Sequence, residues 1–287
     1  MHYVKAKGIL SQSNGMNLYR GCQHGCIYCD SRSHCYQMTH AFEDIEVKEN
    51  ALTLLEQALK ARKKPCMIGT GAMSDPYTTE DHTLGMTRKA LELICKYGFG
   101  AAIQTKSHHI LRDLDILTQI NKQAKAVVQM TLTTYDEKLC RILEPNVSTT
   151  HQRYDTLCRF RDAGIPTIVW LCPLLPFIND TEENMLGILE LCRSAGVKGI
   201  IYFGAGLTLR QGNREYFFKQ LDRYFPGLKE QYIRLYGDCY ALDSPNRPYL
   251  DRILHNYCTD QNIWHNNGQI FAFLHTLEER HTQLSFF

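Results

Sequence analysis

Six short apolar runs recur along the 287 residues, each followed by a polar loop and then by a helix-like pattern. They are MNLY (16–19), CMIG (66–69), GAAIQ (100–104), AVVQMTL (126–132), TIVWL (167–171) and GIIYF (199–203). Between them, ENALTLLEQALKAR sets Ala51, Leu52, Leu55, Ala58 and Leu59 on one stripe, the 3.6-residue period of a half-buried helix. TTEDHTLGMTRKALELICKYG predicts one helix with Thr79 as N-cap, acids in its first turn and Gly98 as its stop. QRYDTLCRFRDAG ends at Gly164. TEENMLGILELCRSAG begins on Thr181, carries Met185, Ile188, Leu189 and Cys192 on one stripe, and ends at Gly196. Strands alternating with helices demand βα units on a parallel sheet with right-handed crossovers. An open doubly wound sheet and a barrel both satisfy that rule. A complete eight-unit barrel needs about 250 residues, whereas the sixth run ends near residue 203 and the pattern beyond it turns helical. The expected fold is therefore α/β: a partial (β/α)6 TIM-like barrel over residues 1–207, with a helical C-terminal extension over 208–287 packed on it.

The bulk numbers narrow the function classes. Formal net charge is +2, too small for a broad non-specific nucleic-acid surface, though not for a local one. No run approaches 18 apolar residues, and MHYVKAKGILSQSNG lacks the apolar core of a secretory signal. The expected place is the cytoplasm, with no membrane partner. The 12 cysteines are then thiols or metal ligands rather than disulfides. Cys66, Cys95, Cys140, Cys158, Cys172 and Cys192 stand singly among apolar residues, where cysteine acts as a small buried hydrophobe.

The segment YRGCQHGCIYCDSRSHCYQ (19–37) is different, because it packs four cysteines into one Gly-containing loop. In parallel α/β folds the site forms at the C-terminal ends of the strands. RGCQHGC, GTGAMSDPY, TKSHH, TTYDE, CPLLPFINDT and GAGLTLR are all expected at that mouth. Cys22, Cys26 and Cys29 read C-x3-C-x2-C. Zinc is one reading, with Cys35, His24 or His34 as fourth ligand. The other is a cubane iron–sulfur cluster on three thiolates, which leaves one iron open; four thiolates would close it.

C-x3-C-x2-C with an aromatic before the last cysteine (Cys26-Ile27-Tyr28-Cys29) resembles the signature of the radical S-adenosylmethionine (SAM) superfamily. YRGCQHGCIYC, MSDPYTTEDHTLGMTRKALEL, TKS followed by LRDLDIL, LEPNV, AGIPTIVWLCPLLPFIND and a YG near 236 resemble its spore photoproduct lyase-like branch, often called DNA repair photolyase-like. The resemblance runs from about residue 15 to 240. It implies that Cys22, Cys26 and Cys29 ligate a [4Fe–4S] cluster whose open iron binds SAM. An external one-electron reductant of the flavodoxin or ferredoxin type would feed it. Reductive cleavage would give a 5′-deoxyadenosyl radical that abstracts hydrogen from substrate. Tyr28, Ser74, Asp75, Lys106, Ser107 and Thr131 are the residues expected around SAM: Ser74 and Asp75 for its amine or ribose, and Lys106 for its carboxylate.

Two departures separate the chain from the lyase itself. Asp30 follows the last cluster cysteine where the lyase has tyrosine. Met73 precedes the Ser-Asp pair where the lyase has its hydrogen-donating cysteine, and a thioether has no S–H to give. Cys35, Cys172 and Cys239 are the substitute donors available. Nucleic acid leads the substrate classes, followed by a peptide, protein or small metabolite. A non-enzymatic iron–sulfur or zinc sensor is the alternative reading. LRQGNREYFFKQLDRYFPGLKEQYIRLYG interleaves basic and aromatic residues, but Glu215, Asp222 and Glu230 dilute its charge. Two amphipathic helices closing the open side of the barrel fit it better than a nucleic-acid surface. IWHNNGQIFAFLHTLEER (263–280) reads as one further docking helix.

Overall fold

The computed structural model describes residues 1–277. The strands in chain order are β1 (His2–Val4), β2 (Gly15–Met16), β3 (Tyr19–Arg20), β4 (Glu46–Lys48), β5 (Met67–Thr70), β6 (Gly100–Thr105), β7 (Ala126–Thr131), β8 (Thr167–Trp170), β9 (Gly199–Ile201), β10 (Gly206–Thr208) and β11 (Ala241–Asp243). The helices are α1 (Ala51–Ala61), α2 (Thr79–Leu84), α3 (Met86–Lys96), α4 (Leu114–Gln123), α5 (Glu137–Leu143), α6 (Thr150–Asp162), α7 (Glu182–Ala195), α8 (Asn213–Tyr224), α9 (Leu228–Tyr236), α10 (Arg247–Asp260) and α11 (Asn267–His275). Six strands form one all-parallel sheet in the order β2-β5-β6-β7-β8-β9. Chain order and spatial order coincide, so the sheet is a partial (β/α)6 barrel rather than a doubly wound one.

Side chains alternate across the strands. Ala101, Ile103, Val128, Met130, Val169 and Ile200 face outward and pack with the buried stripes of the flanking helices. One such stripe is Ala51, Leu55 and Leu59 of α1; another is Met185, Ile188, Leu189 and Cys192 of α7, which starts on N-cap Thr181 and stops at Gly196 in the left-handed conformation. Met67, Ala102, Val127, Ile168 and Ile201 face inward, against Ile270 and Leu274 of α11. The last helix thus fills the barrel lumen instead of docking on its outside. The final three residues expected for that helix, 278–280, lie outside the described residues.

Two expectations change. The run MNLY splits: Gly15–Met16 joins the barrel beside β5, while Tyr19–Arg20 pairs antiparallel with β4 in a small sheet of order β1-β4-β3. The chain must leave the barrel there to carry Cys22 across its mouth. The single helix expected over 79–97 is two, broken where Gly85 takes φ 60°, and its N-cap is Thr78 rather than Thr79. The basic-aromatic segment forms α8 and α9. Their Phe217, Leu221 and Tyr232 pack with Ile27, Tyr28 and Leu143 beside the cysteine loop.

Candidate active site

A cavity of about 560 Å³ opens at the C-terminal ends of the strands. Cys22, Cys26 and Cys29 share its wall with Ser74, Asp75, Lys106 and Thr131. Burial pushes the Cys22 thiol up to about 12, and burial likewise raises Cys26 and Cys29. Three thiols that resist ionisation alone, convergent on one hollow, are a soft donor set suited to a metal cluster that would take them as thiolates. Tyr28 also lines the cavity, between the last two cysteines.

The loops around the cysteines are tied together by short polar bonds. The Ser74 hydroxyl donates to the Gly21 carbonyl at 2.6 Å, joining the loop after β5 to the loop after β3. Gly21 has φ +89°, and a Cβ there would lie 2.6 Å from the Phe42 carbonyl, which already accepts from the Cys22 N–H at 3.0 Å. Asp75 is largely satisfied by protein. One oxygen accepts from the Tyr77 N–H at 2.9 Å and the Thr105 hydroxyl at 2.7 Å; the other accepts from the Lys106 N–H at 2.8 Å. His24 Nδ1 stands 3.5 Å from that second oxygen. The Asp75 carboxylate therefore fixes the loops after β5 and β6 relative to each other as well as lining the cavity.

Ser107 is not among the cavity-lining residues; its hydroxyl accepts from the His109 N–H at 3.3 Å and caps a 3-10 turn. Of the candidate donor thiols, Cys172 lines the cavity, and burial raises it to about 11. Cys35 and Cys239 are exposed and do not line it; Arg210 Nη1 approaches the Cys35 sulfur at 3.3 Å. Met73 does line it, so the position that departs from the lyase faces the site.

Two charged residues stand out that the sequence reading passed over. Glu144 and Arg153 have fully buried side chains and pair at 2.5 Å. Arg153 Nη1 also donates to the Thr131 carbonyl at the end of β7, at 2.7 Å. Glu144 accepts from the Tyr28 hydroxyl and lies 3.4 Å from Lys106 Nζ. Burial opposes the Glu144 charge, but Arg153 and Lys106 outweigh it and hold the carboxyl at about 2. Lys106 is raised: burial disfavours its charge, and Glu144 and Cys26 more than compensate. The backbone around Glu144 is a template for the cysteine loop. Ile27 N–H donates to the Leu143 carbonyl at 2.9 Å, Asn146 N–H to the His24 carbonyl at 3.1 Å, and the Asn146 amide to the Gln23 carbonyl at 2.9 Å. The signal for Glu144 was the LEPN stretch itself. For Arg153 it was a place on the same helical stripe as the buried Leu157 and Phe160.

The Radical SAM superfamily profile matches residues 16–189, and the chain belongs to that superfamily. That superfamily implies a [4Fe–4S] cluster and SAM, and its enzymes generally need a reductant. An uncharacterized protein of Mycobacterium tuberculosis is 29% identical over 77% of this chain and 66% of that one. The chain thus spans slightly less than two thirds of that relative's length. An uncharacterized protein of Acidianus two-tailed virus is 26% identical over 75% of this chain and 74% of its own. Among solved structures, a spore photoproduct lyase mutant with bound AdoMet and dinucleoside spore photoproduct superposes with TM-score 0.62 at 15% identity, over 90% of this chain and 78% of that one. That likeness shows the shared fold. No helix among the described residues is long and apolar enough to cross a membrane.

Proposed function

We propose that Cys22, Cys26 and Cys29 hold the [4Fe–4S] cluster and that Lys106, Ser74, Thr131 and Tyr28 form the SAM site beside it. Residues 1–207 would be the catalytic barrel and 208–287 its extension. The observation that carries this reading is the convergence of the three thiols and Lys106 on one cavity at the strand ends. Bound there, cluster and SAM supply a reductively generated 5′-deoxyadenosyl radical that takes hydrogen from substrate. The chain's own residues orient and enclose. Lys106 offers a cation for the SAM carboxylate, Asp75 holds the Lys106 backbone in place, and the Glu144 template presets the cysteine loop. A spore photoproduct lyase of the same fold is known in complex with dinucleoside spore photoproduct, and nucleic acid is the leading substrate class here, ahead of a peptide, protein or small metabolite. Met73 supports a reaction other than the lyase's own, because it puts a thioether where a donor thiol is needed. Cys172 is the thiol best placed to return a hydrogen atom, since burial keeps its S–H intact. The reductant would be a flavodoxin- or ferredoxin-type protein, in the cytoplasm.

Anaerobic reconstitution with iron and sulfide tests the reading. A dithionite-reduced [4Fe–4S] EPR signal that shifts with SAM, together with 5′-deoxyadenosine formation, is expected. Full iron loading of Cys22→Ala or Cys26→Ala sinks the ligand assignment. A dinucleotide photoproduct assay should show little or no repair; robust turnover would refute the role given to Met73.

A further inference from the structure

A second group of side chains of metal-ligand type lies outside the cavity, on β1 and the loop that leads into β4. His2, His40 and Asp44 each offer one donor atom, and these atoms all lie within 4.8 Å of one another. His2 Nδ1 is 3.0 Å and His40 Nδ1 4.0 Å from Asp44 Oδ2. The two imidazoles meet edge to face with centroids 4.6 Å apart. Ligands of a tetrahedral zinc-type ion, bound at about 2.0–2.2 Å, stand a little over 3 Å from one another, so only small side-chain rotations separate this set from a bound geometry. On its far side, His40 Nε2 meets Glu46 Oε1 at 2.8 Å. A carboxylate on the distal nitrogen is the arrangement that fixes a ligating imidazole; His40 Nδ1 now stands 3.0 Å from the Ala41 carbonyl and would give up that contact, and its proton, to a metal. The backbone beneath is held as well. His2 pairs with Glu46 across β1 and β4, the His2 N–H donates to the Ile45 carbonyl at 3.0 Å, and the Asp44 N–H closes a turn onto the Ala41 carbonyl at 3.0 Å. His40 and Glu46 are mostly shielded, whereas the His2 and Asp44 side chains are 40% and 39% exposed, which leaves an entry path on the Oδ2 side of Asp44, its Oδ1 being paired with the Met1 ammonium at 2.6 Å.

We propose that His2, His40 and Asp44 form a second metal site for a divalent d-block cation of the zinc type, with Glu46 orienting His40. Two imidazoles and one carboxylate are a borderline N/O set that selects such ions over calcium or magnesium. Its place gives it a job. The segment that carries His40 and Asp44 also carries Phe42, whose carbonyl receives the Cys22 N–H, and Glu43, which pairs with Arg32 of the cysteine loop at 2.5 Å. A cation there ties the outer wall of the cluster loop to β1.

The probe is Co²⁺ added to the full chain carrying Cys22→Ala, Cys26→Ala and Cys29→Ala, which removes the clustered thiolates, with the exposed Cys35 and Cys239 also changed to Ala. One equivalent should bind, with visible d–d bands, no sulfur-to-cobalt charge transfer, and a raised melting midpoint. His40→Ala or Asp44→Ala should abolish binding, and Glu46→Gln should weaken it about tenfold or more. Bands and stoichiometry unchanged by His40→Ala and Asp44→Ala, or no bands at all, overturn the proposal. Should this variant fail to fold, equilibrium dialysis of the reconstituted wild type against Zn²⁺ replaces it. One zinc per chain beyond the cluster, lost in His40→Ala, supports the site; none, or one that survives His40→Ala, refutes it.

Discussion

Replacing Glu144 by Gln is the most informative single change in this molecule. The amide keeps the size of the carboxylate and can still accept the Tyr28 hydroxyl. It removes the one anion between Arg153 and Lys106, and it turns an N–H₂ toward groups that are themselves donors. Both side chains of the Glu144–Arg153 pair are 0% exposed, so water cannot repair the loss. Breaking one side of such a pair costs about 3–5 kcal/mol. At roughly 2–4 °C per kcal/mol for a chain of this size, the melting midpoint should fall on the order of 10 °C. The assay is an anaerobic thermal melt of the metal-free chain, with Arg153→Met and the double variant melted in parallel. The residues touch, so the double variant should cost less than the two singles together, by about 1–3 kcal/mol. The acid limb supplies a sign. The Glu144 carboxyl sits at about 2 against an ordinary 4.5, so its contribution is present above pH 4.5 and is lost as pH falls towards 2. Glu144→Gln should flatten that limb. A variant that melts within about 2 °C of wild type, with single costs that simply add, would refute the pair as the anchor of the cysteine loop.

Other outcomes follow from the same contacts. Ser74→Ala leaves the buried Gly21 carbonyl without its 2.6 Å donor and should cost about 1–3 kcal/mol, read by urea denaturation. Gly71→Ala places a Cβ 1.8 Å from the Gln104 carbonyl at φ +98°; soluble, wild-type-like protein from that variant would contradict the backbone path. Cys172→Ala should leave 5′-deoxyadenosine formation intact but stop hydrogen return to product, whereas Cys35→Ala and Cys239→Ala should do neither, as read by deuterium incorporation. Burial, with His108 and His82 adding to it, lowers His109 to about 4. The unfolded chain therefore binds the extra proton between pH 6.5 and 4, and stability should fall with pH across that window. His109→Asn should lessen the drop between melts at pH 7 and 4.5.

The barrel was legible because its strands are buried on both faces and read as near-continuous apolar runs. Runs at 100–104 and 126–132 became β6 and β7 with their ends moved by one residue at most. What escaped was short or turned against its own local pattern. α5 has seven residues, too few for a period to show. Gly85 sits in a segment otherwise periodic, so propensity alone continued the helix through it. The cysteine loop announced itself through spacing, but its template did so only faintly: Arg153 shares the stripe of Leu157 and Phe160 on a helix of mixed polarity, and the fold alone reveals that its partner there is Glu144. Asp75 and Ser74 were read for what they offer a ligand, and the structure shows how much of each is given to the neighbouring loops.

The placement of α11 sets a clock on biogenesis. Ile270 and Leu274 fill the space between strands laid down from Met67 to Ile201, so the apolar lining of the lumen stays uncovered until α11 has left the ribosome. At about 5–20 residues per second, the roughly 200 residues from β5 to α11 keep the half-built sheet open for tens of seconds at the slow end. Throughout that interval the cysteine loop, made before β5, waits for the rest of its wall, which runs to Arg247. Iron offered before Arg247 is made would meet an unfinished wall, so loading of the cluster that the superfamily implies would belong after the barrel closes.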